Sequence, residues 1–170
     1  MNNVKTVLLV GVSLFRLPTE NAVEQRLVDA GFEVVATGLV YDARGAQFDN
    51  ALRWPNYLAV DGRRLPFSES SFDLVYSNAV IEHVGFERAQ RAFVAEHNRV
   101  GKNWIITCPN RWFPVESHTD VLFRHWKSGF TDEYGSITRL LGPRDLRALL
   151  PDTARIHGHM ASPTLTATSS

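Results

Sequence analysis

The sequence predicts an α/β fold: a doubly wound, mostly parallel seven-stranded sheet with helices on both faces. Three observations predict it. Short apolar runs alternate with stretches of helical period, and parallel neighbours need such crossover connections. The first run, TVLLVGV at 6–12, is apolar throughout and contains a glycine near its end, as suits a strand covered on both faces. The chain has 170 residues, 44% of them hydrophobic, which supports one core and asks for no second, so 1–170 reads as a single domain.

The elements follow in order. After the first strand comes a helix that Thr19 can cap, with Glu20 in its first turn, Val23, Leu27 and Ala30 on one face and Gly31 at its end. FEVVAT at 32–37 and YLAV at 57–60 supply the second and third strands, with a polar segment between them. FDLVYS at 72–77 is the fourth, and the next helix repeats Phe86, Ala89, Phe93 and Val100 at helical spacing. WIITC at 104–108 is the fifth. An aromatic, turn-rich stretch then leads to GPRDLRALL, a helix with Pro143 in its first turn and Leu146, Leu149 and Leu150 on its buried side. RIHGH and TLTAT are two weaker last strands, and the terminal SPTLTATSS is polar enough to fray.

Charge and cysteine content exclude several functions. Eighteen basic side chains balance eighteen acidic ones, with no long basic block, so the electrostatic attraction behind non-specific nucleic-acid binding is absent. Cys108 is the only cysteine and has no internal partner. The N-terminal apolar run, broken by Arg16, is too short to span a membrane. The expectation is a cytoplasmic protein that binds neither nucleic acid nor membrane.

In a doubly wound sheet, ligands sit beyond the carboxyl ends of the strands, at the switch point beside the first. The segments to question are therefore 11–15, 37–42, 61–65, 77–83 and 109–118. Ser77 and Asn78, just past the fourth strand, are ligand-contact candidates by position. Leu65-Pro66-Phe67 and Phe72 read as packing, and Asp73 as an acid bonded to the adjacent turn.

The run Asp61, Leu65-Pro66-Phe67, Ser71-Phe72-Asp73-Leu74-Val75 and Val80-Ile81-Glu82-His83-Val84 resembles the middle of class I S-adenosylmethionine-dependent methyltransferases of the type 11 group. The resemblance implies the Rossmann-like methyltransferase fold, S-adenosylmethionine as cofactor, and an acid ending the third strand that accepts from the adenine amino group. Here that acid is Asp61, with the Gly62 backbone beside it; the alternative use of Asp61 is to cap the turn before Leu65. Gly11 matches the first glycine of the loop that closes on the methionine part. The rest of that loop departs from the family, with Leu9 in place of the strand acid and Leu14 and Phe15 in the turn. The acid that holds the ribose is missing at 36–38, leaving Ser13 and Asp42 as substitutes.

Glu82 and His83 suggest a metal, but Ala79 stands where metal-using relatives carry a further acid, so no metal is expected. On the acceptor side, Trp112, Phe113, Phe123 and Trp126 form either a substrate wall or core. Arg111, Glu116, His118 and His125 add polar groups there, and His118 is the general-base candidate. With little chain ahead of the first strand, a site that is open, or completed by a homodimer mate or partner subunit, is expected.

Three functions compete at this level. The first is methyl transfer to an oxygen or nitrogen of a small molecule, a sugar or natural-product intermediate for example. The second is a methyltransferase-like binding or assembly subunit with lost or weakened catalysis. The third, a nicotinamide-dependent oxidoreductase, lacks G-x-G-x-x-G after the first strand and an acid after the second.

Overall fold

The computed structural model describes residues 5–12, 22–39, 56–115, 122–126 and 139–170. Within them, β1 (Thr6–Val10), α1 (Ala22–Asp29), β2 (Glu33–Gly38), β3 (Tyr57–Ala59), β4 (Leu74–Asn78), α2 (Glu87–Val100), β5 (Trp104–Pro109), α3 (Pro143–Leu149), β6 (Arg155–His157) and β7 (Thr164–Thr168) follow one another. The seven strands form one sheet in the order β3-β2-β1-β4-β5-β7-β6. Neighbours from β3 through β5 are parallel, and β7 runs antiparallel between β5 and β6. The order reverses beside β1, whose Leu8 pairs with Val35 of β2 on one side and Val75 of β4 on the other.

Alternation along the strands splits the core in two. Leu8, Val10, Val75, Ile106, Leu165 and Ala167 face α2 and α3, where Phe93, Val94, Leu146 and Leu149 meet them. Val7, Leu9, Val34, Ala36 and Tyr76 face the other way, toward Leu27 and Val28 of α1. Helices thus cover both faces, and each fully buried side chain such as Phe93 contributes about 1.5–3 kcal/mol.

Several elements differ from their sequence reading. In α1 the inward stripe is Glu24, Leu27 and Val28, while Val23 is 46% exposed. Gly31 ends that helix as expected, at φ +81°, with its N–H on Val28 O and that of Phe32 on Leu27 O. In α2, Phe86 is 72% exposed at the N-cap, and the polar Gln90 and His97 are buried beside Phe93 and Val100. Gln90 belongs there because its Nε2 donates to Ile81 O and Arg139 O at 3.1 and 3.0 Å. TLTAT does not fray: as β7 it is paired on both sides and buries Leu165 and Ala167. Asp73 binds not the adjacent turn but the start of β1, its Oδ2 accepting from the N–H groups of Lys5 and Thr6, and its Oδ1 from Lys102. Thr19 and most of the segment between β2 and β3 lie outside the described residues.

Candidate functional site

A cavity of about 290 Å³ opens at the carboxyl ends of β1, β2 and β4, on the switch-point side of the sheet. Its wall begins at Gly11, which follows β1 at φ +81° and donates its N–H to Thr37 O at 2.8 Å. Thr37 in turn donates Oγ1 to Leu9 O, so the first turn is tied to the end of β2. A Cβ at position 11 would lie 2.5 Å from Val80 Cγ1, another wall residue, so only glycine permits this approach.

Asp61 stands where the chain leaves β3. Val60 donates its N–H to Gly38 O, and Arg64 to Asp61 O, which makes the turn. Oδ1 of Asp61 accepts from the backbone N–H and Nε of Arg63, both at 2.9 Å; Oδ2 accepts from Nε at 2.9 Å and from Nη2. The guanidinium beside it holds the Asp61 carboxyl below the usual carboxylate range. The same guanidinium donates Nη1 to Val84 O at 3.1 Å, joining the turn after β3 to the loop after β4. Gly62 sits against Phe93, which a Cβ there would approach to 2.7 Å.

Past β4, Ser77 is buried on the α2 side of the sheet and Asn78 accepts from Thr107 Oγ1; neither lines the cavity. Ala79 and His83 do line it. Glu82 is fully buried, and burial pushes its carboxyl up to about 8. Its Oε1 lies 3.8 Å from His83 Nε2, beyond direct hydrogen bonding. No three His, Cys, Asp or Glu side chains gather as a metal site among the described residues. Cys108 is buried at its strand end, and burial pushes its thiol up, away from nucleophilic use.

The stretch after β5 carries its aromatics outward. Trp112, Phe123 and Trp126 are 44%, 49% and 45% exposed, with ring centroids 6.2 Å apart for the two indoles and 4.7 Å for Phe123 and Trp126. Trp126 donates Nε1 to Arg111 O, and His125 is buried with its Nε2 on that same carbonyl. This group does not line the cavity. Ser13, Asp42, Glu116 and His118 lie outside the described residues.

Of the sequence candidates, the structure therefore brings Gly11, Asp61 and Gly62 together in one cavity. Arg63, Val80 and His83 share it and were not singled out as ligand contacts. The signal for Arg63 was its spacing, since a residue two after an Asp can place its N–H on that carboxylate.

A family model described as a methyltransferase domain matches residues 23–103, a little under half of the chain. The PH0226 protein of Pyrococcus horikoshii is 15% identical at a TM-score of 0.61, over 99% of this chain and 82% of that one. The CcbJ methyltransferase of Streptomyces caelestis is 11% identical at 0.63, over 97% and 82%. The 1,6-didemethyltoxoflavin-N1-methyltransferase of Burkholderia thailandensis, a structure with 1,6-didemethyltoxoflavin and S-adenosylhomocysteine bound, is 17% identical at 0.56, over 96% and 69%. No curated protein matches the sequence. Sheet order and these likenesses give the chain the fold of class I methyltransferases, and residues 23–103 match a methyltransferase domain.

The matched domain implies S-adenosylmethionine as cofactor, and the cavity has features that fit its adenosine end. A strand-end carboxylate, apolar walls from Val60, Val80 and Phe93, and a glycine turn that a Cβ would close all meet there. At the end of β2 the described residues Gly38 and Leu39 offer no acid for a ribose.

Proposed function

We propose that the protein, acting as one domain over 1–170 in the cytoplasm, transfers a methyl group from S-adenosylmethionine to an oxygen or nitrogen of a small molecule. A sugar or natural-product intermediate is the acceptor class. The observation that carries this reading is the cavity at the switch point, which Gly11, Asp61 and Gly62 line together. When bound, the sulfonium supplies a methyl group already activated toward in-line displacement.

The chain's own tasks are binding and alignment. Asp61 accepts from the adenine amine, Gly11 lets the backbone close on the amino-acid part, and Val80 and Phe93 keep water from the ring. Ser13 and Asp42 are proposed for the remaining contacts, with Ser77 and Asn78 holding the adjoining strand end. His118 is proposed as the base that takes the acceptor's proton.

A second reading, a binding or assembly subunit with weakened catalysis, draws on two observations. Asp61 is engaged by Arg63, and Trp112, Phe123 and Trp126 form an exposed aromatic patch suited to a partner subunit or a second copy.

Calorimetry with S-adenosylmethionine and S-adenosylhomocysteine tests the first reading. Heat of binding is expected with both. Asp61→Ala should weaken binding about tenfold or more, since a hydrogen bond to a charged group is worth about 1.5–3 kcal/mol. Folded protein that gives no heat with either compound leaves only the second reading.

A further inference from the structure

We infer that Arg63 is a latch on the adenine end of the cavity, which the cofactor must displace before Asp61 can receive it; the inference rests on the methyltransferase reading above. A carboxylate offers about four acceptor positions on its two oxygens. In Asp61 both oxygens are engaged by three N–H donors of Arg63: the backbone N–H reaches Oδ1, Nη2 reaches Oδ2, and Nε–H is shared between the two. An exocyclic amine arriving in the cavity meets a carboxylate whose two oxygens both already accept from Arg63. The guanidinium also spans the cavity's rim, since its Nη1 holds Val84 O on the facing loop.

The contact is built to exchange. The Arg63 and Asp61 side chains are 42% and 36% exposed, so water can take over the guanidinium's hydrogen bonds as it leaves. The backbone N–H of Arg63 keeps its bond to Oδ1 whatever the side chain does, so Asp61 stays oriented and Oδ2 becomes the vacant acceptor. Two residues on, Leu65 is fixed to α2, its N–H on Glu96 Oε2 and its carbonyl accepting from Arg99. Opening is therefore a rotation of one side chain, with the turn left in place. Arg63 sets affinity by competing for Asp61; it takes no part in the chemistry.

The test is S-adenosylhomocysteine calorimetry on the wild-type chain and on Arg63→Met, which keeps the apolar stem and removes the guanidinium. An exposed ion pair of this kind competes weakly, so Arg63→Met should bind about two- to fivefold more tightly. Adding Asp61→Ala should then cost more affinity in the Arg63→Met background than in the wild-type one. As a second measurement on the unaltered protein, affinity should rise with sodium chloride, because salt weakens the latch, and Arg63→Met should lose that response. Unchanged or weaker binding by Arg63→Met overturns the latch while wild-type binding keeps the methyltransferase reading. No heat from either protein overturns both.

Discussion

Glu96 and Arg99, one turn apart on α2, act together as a clamp on the Leu65–Phe67 turn. Glu96 accepts the Leu65 N–H at 2.7 Å, and Arg99 donates to the carbonyls of Phe67 and Leu65 at 2.7 and 2.9 Å. The two side chains also bond each other, Nε to Oε1 and Nη2 to Oε2, both at 2.7 Å. Beneath the clamp Leu65 is buried, and Phe67 meets Phe72 edge-on at 5.0 Å between centroids. The turn that leads away from Asp61 is thus held from both its polar and its apolar side.

Removing the cation should loosen that turn. Arg99→Ala is expected to cost about 1–2 kcal/mol in urea unfolding, since two carbonyls lose a charged donor but the site is partly wet. Arg99 also holds the Glu96 carboxyl below its ordinary value of 4.5. A lowered acid stabilises the fold above its unfolded value and loses that contribution as pH falls through the folded one. The variant's deficit should therefore shrink as the pH drops below about 4. A variant as stable as the wild type at pH 7 refutes the clamp.

Two buried groups on the α2 side give opposite pH slopes. Burial pushes Glu82 up to about 8 from 4.5, so the native state holds a proton that the unfolded chain has released, and stability falls as pH rises between those values. Burial pushes His97 down to about 4 from 6.5, so the unfolded chain holds the extra proton and stability rises with pH over that window. The slopes offset each other below about 6.5, and Glu82 alone acts above it. Urea midpoints should therefore decline between pH 6.5 and 8. Glu82→Gln should flatten this decline, its gain at pH 8 exceeding that at pH 6.5 by on the order of 2 kcal/mol. An undiminished slope in that variant rules Glu82 out.

The sequence was informative where side-chain period and strand order decide the outcome. The apolar runs at 6–12 and 104–108, the glycine stop at Gly31 and the leucines of α3 occupy the places their spacing implies. It was less informative where a polar side chain is buried by finding a distant partner. Gln90 and His97 break the apolar stripe of α2, yet Gln90 satisfies the Ile81 and Arg139 carbonyls and His97 places Nδ1 on Phe93 O at 2.8 Å. The same limit applied at the site. Asp61 was legible from a motif, but its engagement by Arg63, and the bond from Arg63 to Val84 twenty-one residues on, depend on how two loops meet. Ser77 was a position argument; its side chain is buried and does not line the cavity.

Gly11 makes a direct prediction at the cavity wall. Gly11→Ala places a Cβ 2.5 Å from Val80 Cγ1 on a backbone at φ +81°, where an L side chain is strained. Backbone strain of roughly 1–2 kcal/mol plus crowding should lower stability by about 1–3 kcal/mol and weaken S-adenosylhomocysteine binding. Adding Val80→Ala should restore part of the binding by removing the crowding. No recovery in the double variant would mean that strain at position 11 alone is responsible.

Asn110 is the strongest test of how the C-terminal hairpin is attached. It is buried just past β5, and its Nδ2 donates to the carbonyls of His159, Met160 and Ser162 at 3.0, 3.1 and 2.8 Å while Oδ1 accepts the Trp112 N–H at 3.0 Å. Both amide hydrogens and the oxygen are thus used, and the loop between β6 and β7 is pinned to the strand β7 pairs with. Asn110→Asp keeps the shape and the acceptor but aims a carboxylate at three carbonyl oxygens. It should cost about 3 kcal/mol or more at pH 7, beyond the roughly 1–3 kcal/mol of leaving buried polar groups unpaired. Because a protonated carboxyl regains one donor, the penalty should lessen toward pH 4, which separates charge from lost shape. A deficit that does not change with pH would assign the whole cost to the missing donors.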